Sequence, residues 1–365
     1  MASTFKTLLN NDVVSTRTML HEAIPLTGTI VSGTYGDNNI KNYTHGMFQS
    51  VYDYPYLSSS ANHIFDITLG FSSNSGYSAS APTATLNPQQ AKKINLYNQM
   101  AQVLVGYDVT GNIRQFDQDG DLAGGTKLKE CIFLNFARLL SKDEIKKGSF
   151  SLTVLTGGLA VNPSGSCLQD VGALNAYKVN SPAGEYGILY SGSYFEASPS
   201  AAGVPAGLIF YQAGICVLTA SVFDIDPSNP KERAPVFVSR ATEHAAGVNA
   251  DDDIYQAFTG SYISASCDAL RNRFVNVSFN NTTELNSTIY FCRANNNEFN
   301  YSSNPTYLSS SKLVVKNNHN DTPVSYMTTV GLYSADNELL ATAKISEPLK
   351  KSPDDEFTLR VRLDY

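Results

Sequence analysis

The sequence predicts a mainly β protein of the α+β kind, with antiparallel, sandwich-like units and two or three helices. Three observations lead there. The 365 residues include 21 Tyr and 18 Phe but no Trp, and Asn, Ser, Thr and Gly are plentiful, a mix that suits pleated strands and tight turns. Short apolar runs, many alternating with period two, recur along the chain between turn signals. Only two stretches carry the three-and-four spacing of an amphipathic helix. Length favours two or three domains, divided as 1–125, 126–250 and 251–365.

Residues 1–80 alternate apolar runs with turns, as in IPLTGTIVSGTYGDNN and HIFDITLGFSSNSG. The segment VYDYPYL (51–57) gathers three tyrosines around Pro55 in a loop. The first helix is expected over about 88–105. Asn87 is suited to cap it, Pro88 fits its first turn, and Ile94, Tyr97, Ala101 and Leu104 share a face before Gly106 stops it. Glu130–Leu155 reads as strand, charged turn or short helix, then strand. EYGILYSGSYFEAS and AGLIFYQAGICVLTASVF are strand-rich, with Gly214 marking a turn or bulge.

A second helix is expected over Asp251–Arg273, weakened by Gly260 and with Asp251, Asp252 and Asp253 in its first turn, where negative charge offsets the helix dipole. Alternation then returns. Met327–Tyr333 and Leu339–Ile345 are expected to pair about a turn at Ser334–Glu338, with Pro348 ending the second strand. Lys350 to Glu356 read as a charged connector. The last strand is Phe357–Tyr365, where Phe357, Leu359, Val361 and Leu363 face one way and Thr358, Arg360, Arg362 and Asp364 the other. The patches at 72–85 and 198–203 read as exposed loops.

The chemistry that would mark an enzyme is missing from this pattern. No nucleophile elbow, phosphate loop or dinucleotide fingerprint occurs, and the five histidines form no metal-binding spacing. FDQDGDLAGG (116–125) alternates Asp117, Asp119 and Asp121. It lacks the glycine and the terminal acid of an EF-hand, so it reads as an acidic turn. Neither a cofactor nor a metal is expected. A net charge of −7 without a basic cluster argues against nucleic acid as partner. No apolar run reaches the roughly 18–20 residues that span a bilayer and no signal peptide is evident, which leads us to expect a soluble, non-secreted protein with no membrane partner. The five scattered cysteines read as reduced and buried. Without a signal peptide, the Asn-x-Ser/Thr triplets are chance matches.

EFNYSSNPTYLSSSKLVV (298–315) and VSYMTTVGLYSADNELLATAKISEPLKKSPDDEFTLRVRLDY (324–365) resemble virion structural proteins of tailed bacteriophages, most of all those of marine and cyanobacterial contractile-tailed phages. The run T-T-V-G-L-Y-x-x-x-N-E-L-L-A-x-A-K-x-S-E-P also resembles a β-hairpin of phage tail and tail-fibre attachment proteins. IKKGSFSLTV (145–154) and GLIFYQAGICVLT (207–219) fit the same pattern. The resemblance implies a non-enzymatic virion subunit, made in the bacterial host cytoplasm and placed in the tail or baseplate. A neck or capsid-decorating position, or a receptor- or glycan-binding module of the tail, is the alternative. Its partners would be other virion proteins and copies of itself. Aromatic residues anchor interfaces, so Tyr52, Tyr54, Tyr56, Tyr301, Tyr307, Phe357 and Tyr365 are the candidate contact residues. Packing within one subunit is the competing role for each.

Overall fold

In the computed structural model of the chain, the described residues are 5–25, 39–78, 88–157, 164–193, 204–223, 254–259, 262–271, 273–302, 308–310, 312–314, 316 and 318–365. In order, the elements are β1 (Val13–Pro25), β2 (Ile40–Asn42), β3 (Gln49–Tyr52), β4 (His63–Phe71), α1 (Pro88–Leu104), β5 (Phe116–Asp117), β6 (Lys127–Leu128) and β7 (Glu130–Phe136). Then come α2 (Arg138–Ser141), β8 (Glu144–Ile145), β9 (Ser151–Gly157), β10 (Ser164–Gln169), α3 (Ala173–Ala176), β11 (Tyr186–Ser193), β12 (Val204–Phe210) and β13 (Ile215–Thr219). The chain ends with α4 (Ile254–Thr259), α5 (Ile263–Arg271), β14 (Phe274–Ala294), β15 (Leu308–Ser309), β16 (Lys312–Leu313), β17 (Ser325–Tyr333), β18 (Leu339–Lys351) and β19 (Phe357–Asp364). Strand makes up 46% and helix 16%, so the expected mainly β class is what forms. None of these helices is long and apolar enough to cross a membrane.

Two compact units result. One is His21–Thr283; the other joins Met1–Leu20 to Glu284–Tyr365. This differs from the expected cuts after 125 and 250. The reason is the pairing of β1 with β14, a contact of distant segments that local composition does not reveal.

Within His21–Thr283 the strands pair in the order β14-β9-β10-β11-β12-β13-β7-β4-β3-β2, and every pair is antiparallel. After β7 the chain turns through α2 into β8, which pairs with Asn281 and Thr282 of β14. That brings the segment following β7 back to β14. The sheet is therefore strongly coiled, and its concave face is filled by side chains from strands far apart in the pairing order. Phe136 of β7 meets Phe279 of β14 at 5.2 Å between ring centroids, and Phe65 of β4 meets Phe274 at 6.5 Å. Burying each such ring contributes on the order of 1.5–3 kcal/mol.

Alternation along the strands explains the two cores. On β7, Ile132, Leu134 and Phe136 enter the concave core, while Cys131 and Phe133 enter a second cluster on the opposite face. On β13, Cys216 and Leu218 do the former and Val217 the latter. Tyr97, Ala101 and Leu104 of α1 join the second cluster, as their spacing predicts, but Ile94, expected on the same face, packs against the first cluster instead. The helix ends as expected: Gly106, at φ +74°, donates its N–H to the Ala101 carbonyl. Gly70 of β4 lets α1 approach, since a Cβ there would lie 2.5 Å from the Lys93 carbonyl oxygen and 2.8 Å from the Tyr97 nitrogen.

Other expectations are corrected here. The helix over 251–273 forms as two, α4 and α5, and residues 251–253 lie outside the described residues. Gly, Thr and Ser at 259–261 are poor helix formers, which is reason enough for the break. In the patch at 72–85, Ser72, Ser75 and Tyr77 are buried, with the Ser75 hydroxyl bonded to Glu130; residues 79–85 and the patch at 198–203 lie outside the described residues. Cys131, Cys167, Cys216 and Cys267 are free and buried, as expected, but Cys292 is only half-buried. The region 130–155 forms strand, short helix and strands, and Gly214 sits in the turn between β12 and β13 at φ +66°.

Candidate functional site

The unit of Met1–Leu20 and Glu284–Tyr365 is built mainly from long strands. Both core clusters lie wholly within His21–Thr283. Among the described hydrophobic residues of the smaller unit, only Ala294 and Val361 are buried. Its apolar side chains are otherwise half-buried or exposed, including Tyr326, Tyr333, Leu339 and Leu340.

Strands β17 and β18 form a two-stranded ribbon of their own. Nine residues of β17 span about 30 Å at the rise of an antiparallel strand. Val330 pairs with Ala343 and Leu332 with Ala341, so four apolar side chains share a face and all four are half-buried. The turn falls at Ser334–Glu338, as the sequence predicts. Ser334 donates to the Glu338 carbonyl at 2.9 Å, and Asn337 adopts φ +61°, a conformation Asn tolerates.

Pro348 does not end the second strand. Thr329 pairs with Lys344 and Met327 with Leu349, so Ile345–Pro348 face a single residue across the ladder. The proline sits in that bulge, where its missing N–H is not needed. Lys351 is likewise no part of a solvated connector: it is fully buried. Its ammonium donates to the Asn296 carbonyl (3.1 Å), Asn300 Oδ1 (2.7 Å) and the Ser352 carbonyl (2.7 Å). Ser325 bonds the Phe299 carbonyl. These bonds pin the base of the ribbon to the turn that follows β14.

Strand β19 pairs with β14 from Phe357↔Ala294 to Asp364↔Ser287, and Tyr365 extends the ladder by exchanging backbone bonds with Asn286. The expected alternation holds. Phe357, Leu359 and Leu363 are half-buried and Val361 is buried, while Thr358, Arg360, Arg362 and Asp364 are exposed. Among the described residues β14 is its one partner strand, leaving the other edge of backbone donors and acceptors open. Arg362 and Ser287 both bond the Asp364 carboxylate, which holds that carboxyl below its ordinary range. Across β14, the Arg293–Asp12 ion pair (2.7 Å) and the Lys6–Glu298 pair anchor the segment ahead of β1. Phe5 packs on Tyr333 at 4.7 Å.

The candidate contact residues fall in both units. Tyr301, Phe357 and Tyr365 belong to this smaller unit. Tyr365 is 74% exposed, yet its hydroxyl reaches that of Thr288 at 3.0 Å; Tyr301 is exposed and Phe357 half-buried. Tyr307 lies outside the described residues. Tyr52, Tyr54 and Tyr56 belong to the larger unit. Tyr52 is half-buried, 5.4 Å from the His63 ring and 6.3 Å from Tyr56, and desolvation raises its hydroxyl pKa. Tyr54 and Tyr56 are exposed beside Leu57. Sequence reasoning missed Tyr326, Tyr333, Leu339 and Leu340. Their signal, apolar residues on a hairpin, was visible, but which of them would stay exposed was not.

Compared with models of protein families, with curated proteins and with solved structures, the chain matches none.

Proposed function

We propose that this protein is a non-enzymatic structural subunit of a bacteriophage virion, in the tail or baseplate, and that it works through interfaces with other virion proteins and copies of itself. One observation carries the reading. Among its described residues the smaller unit holds β17, β18, β19 and the ends of β1 and β14 and no residue of either core cluster, so its ribbon and the β19 edge are suited to cover from another chain. A lone two-stranded ribbon is marginal in water, and an open edge pairs readily with a neighbour's strand. The resemblance of residues 298–365 to virion proteins supplies the kind of assembly, and the exposed tyrosines and leucines supply the anchoring chemistry.

Mass spectrometry of purified virions of the encoding phage tests this. The chain should be present in intact particles at fixed stoichiometry, and a chain lacking residues 357–365 should fail to incorporate while His21–Thr283 still folds. Absence of the full chain from particles would overturn the assignment. Normal particles built from the shortened chain would overturn the role of β19.

A further inference from the structure

The acidic turn between β5 and β6 belongs to neither core nor ribbon. Asp117 ends β5 and is fully buried, an unusual place for a carboxylate. Its Oδ2 accepts from the Leu122 N–H at 2.8 Å and meets the Lys127 ammonium at 3.1 Å. Its Oδ1 is buried and has no hydrogen-bond partner. Leaving such an oxygen unsatisfied is costly.

Asp117 also belongs to a cluster of acids. One carboxylate oxygen each from Asp117, Asp119 and Asp121 lies within 4.8 Å of the others. Asp119 and Asp121 spend their Oδ1 atoms on the N–H groups of Asp121 (3.1 Å) and Ala123 (2.7 Å), which leaves their Oδ2 atoms outside those bonds. Gly125, at φ +72°, keeps the space before them open: a Cβ there would sit 3.4 Å from Asp119 Oδ2 and 4.0 Å from Asp117 Oδ1. Gly120 is held from behind, its carbonyl accepting from Tyr186 (2.9 Å) and Asn180 (3.1 Å), so the loop is positioned by the sheet. Desolvation, opposed by Lys127 and reinforced by the two neighbouring acids, raises the Asp117 pKa.

We propose that Asp117, Asp119 and Asp121 form a divalent-cation site of the calcium class. Ligands about 2.3–2.6 Å from one Ca²⁺ ion lie at most about 5 Å apart, and the three acids fall within that limit. Magnesium is usually held by one or two carboxylates and keeps several waters, so a set of three protein carboxylates suits calcium better. Three carboxylates less the Lys127 charge leave a formal −2 for the ion to balance, and the Lys178 stem lies alongside over Gly120. The Asp119 and Asp121 side leaves room for water to complete the shell. Three protein carboxylates on an open turn place the affinity near that of weak extracellular modules, on the order of 10⁻⁴–10⁻³ M.

Terbium luminescence sensitised by tyrosine tests the site on the whole protein, with Tyr186 as the nearby donor. Calcium should quench the signal competitively with one-to-one stoichiometry and raise the melting temperature, and EDTA should reverse both. Asp119→Asn with Asp121→Asn keeps each Oδ1 acceptor and so keeps the loop bonds. It should weaken binding at least ~10-fold, taking a full charge from each of two ligands, with an unchanged circular dichroism spectrum. Lys127→Met, which removes the competing cation, should tighten it. No terbium signal at millimolar metal would overturn the proposal and assign the neutralisation to a proton on Asp117. Equal binding by the double variant would overturn it by placing the ion elsewhere.

Discussion

Lys93 shows how far tertiary structure can override a residue's habits. On the first turns of a helix a lysine reads as solvated, yet this one is fully buried and donates to the Phe258 carbonyl at 2.5 Å. Desolvation pushes its ammonium down to about 8 from 10.5. Between those values the unfolded chain holds a proton that the folded chain lacks, so this group makes stability rise with pH across that window. Burial of Tyr97 and Tyr211 pushes their hydroxyls up and works the other way above pH 10. The comparison that isolates Lys93 is therefore wild type against Lys93→Met. In urea titrations, stability of wild type relative to the variant should climb by on the order of 3 kcal/mol from pH 7.5 to 10.5, at about 1.4 kcal/mol per unit. A flat difference would mean that the ammonium is solvated. Helical spacing does separate it from Lys92: Lys93 stands four residues before Tyr97, on the face that carries Ala101 and Leu104, but composition alone marks both lysines as solvated.

At the level of elements, what the sequence reveals tracks how local the determining interaction is. α1, the turn at Ser334–Glu338 and the alternation of β19 were legible because their periods and caps lie within a few residues. The bulge that accommodates Pro348 was not, since it is defined by the register of the opposite strand. Nor was the burial of Lys351, which depends on carbonyls some fifty residues earlier. The candidate contact tyrosines were legible as exposed aromatics in part, but their scatter over two units was not, because it depends on long-range pairing. The contact of α1 with β4 is a close backbone approach permitted by one glycine. Gly70→Ala places a methyl against the Lys93 carbonyl and the Tyr97 nitrogen, and neither backbone atom can rotate away. Differential scanning calorimetry should show a loss of roughly 1–3 kcal/mol, the usual range for overpacking. An unchanged melting temperature would show that α1 sits further from β4 than described.

Across the whole molecule, the contrast is between a unit with two cores and a unit with none among its described residues. Local opening is easiest where few apolar contacts are lost. Hydrogen exchange on dilute protein should therefore find amides of β4, β7, β12 and β13 the slowest, and those of β17 and β18 at least ~100-fold faster. Equal protection in both sets would mean that the two units unfold as one. The same division shapes biosynthesis. Ser15 of β1 and Thr288 of β14, whose hydroxyls approach to 3.5 Å, are separated by 273 residues. At about 5–20 residues per second, β1 is outside the ribosome for tens of seconds before its partner exists. A strand kept waiting is an aggregation hazard, and the polar run Ser15, Thr16, Arg17 and Thr18 is suited to spend that interval in water. Arg17 gains its partner Glu284 only when translation has nearly reached the ribbon, so the surface we assign to assembly is also the last part of the protein to become available.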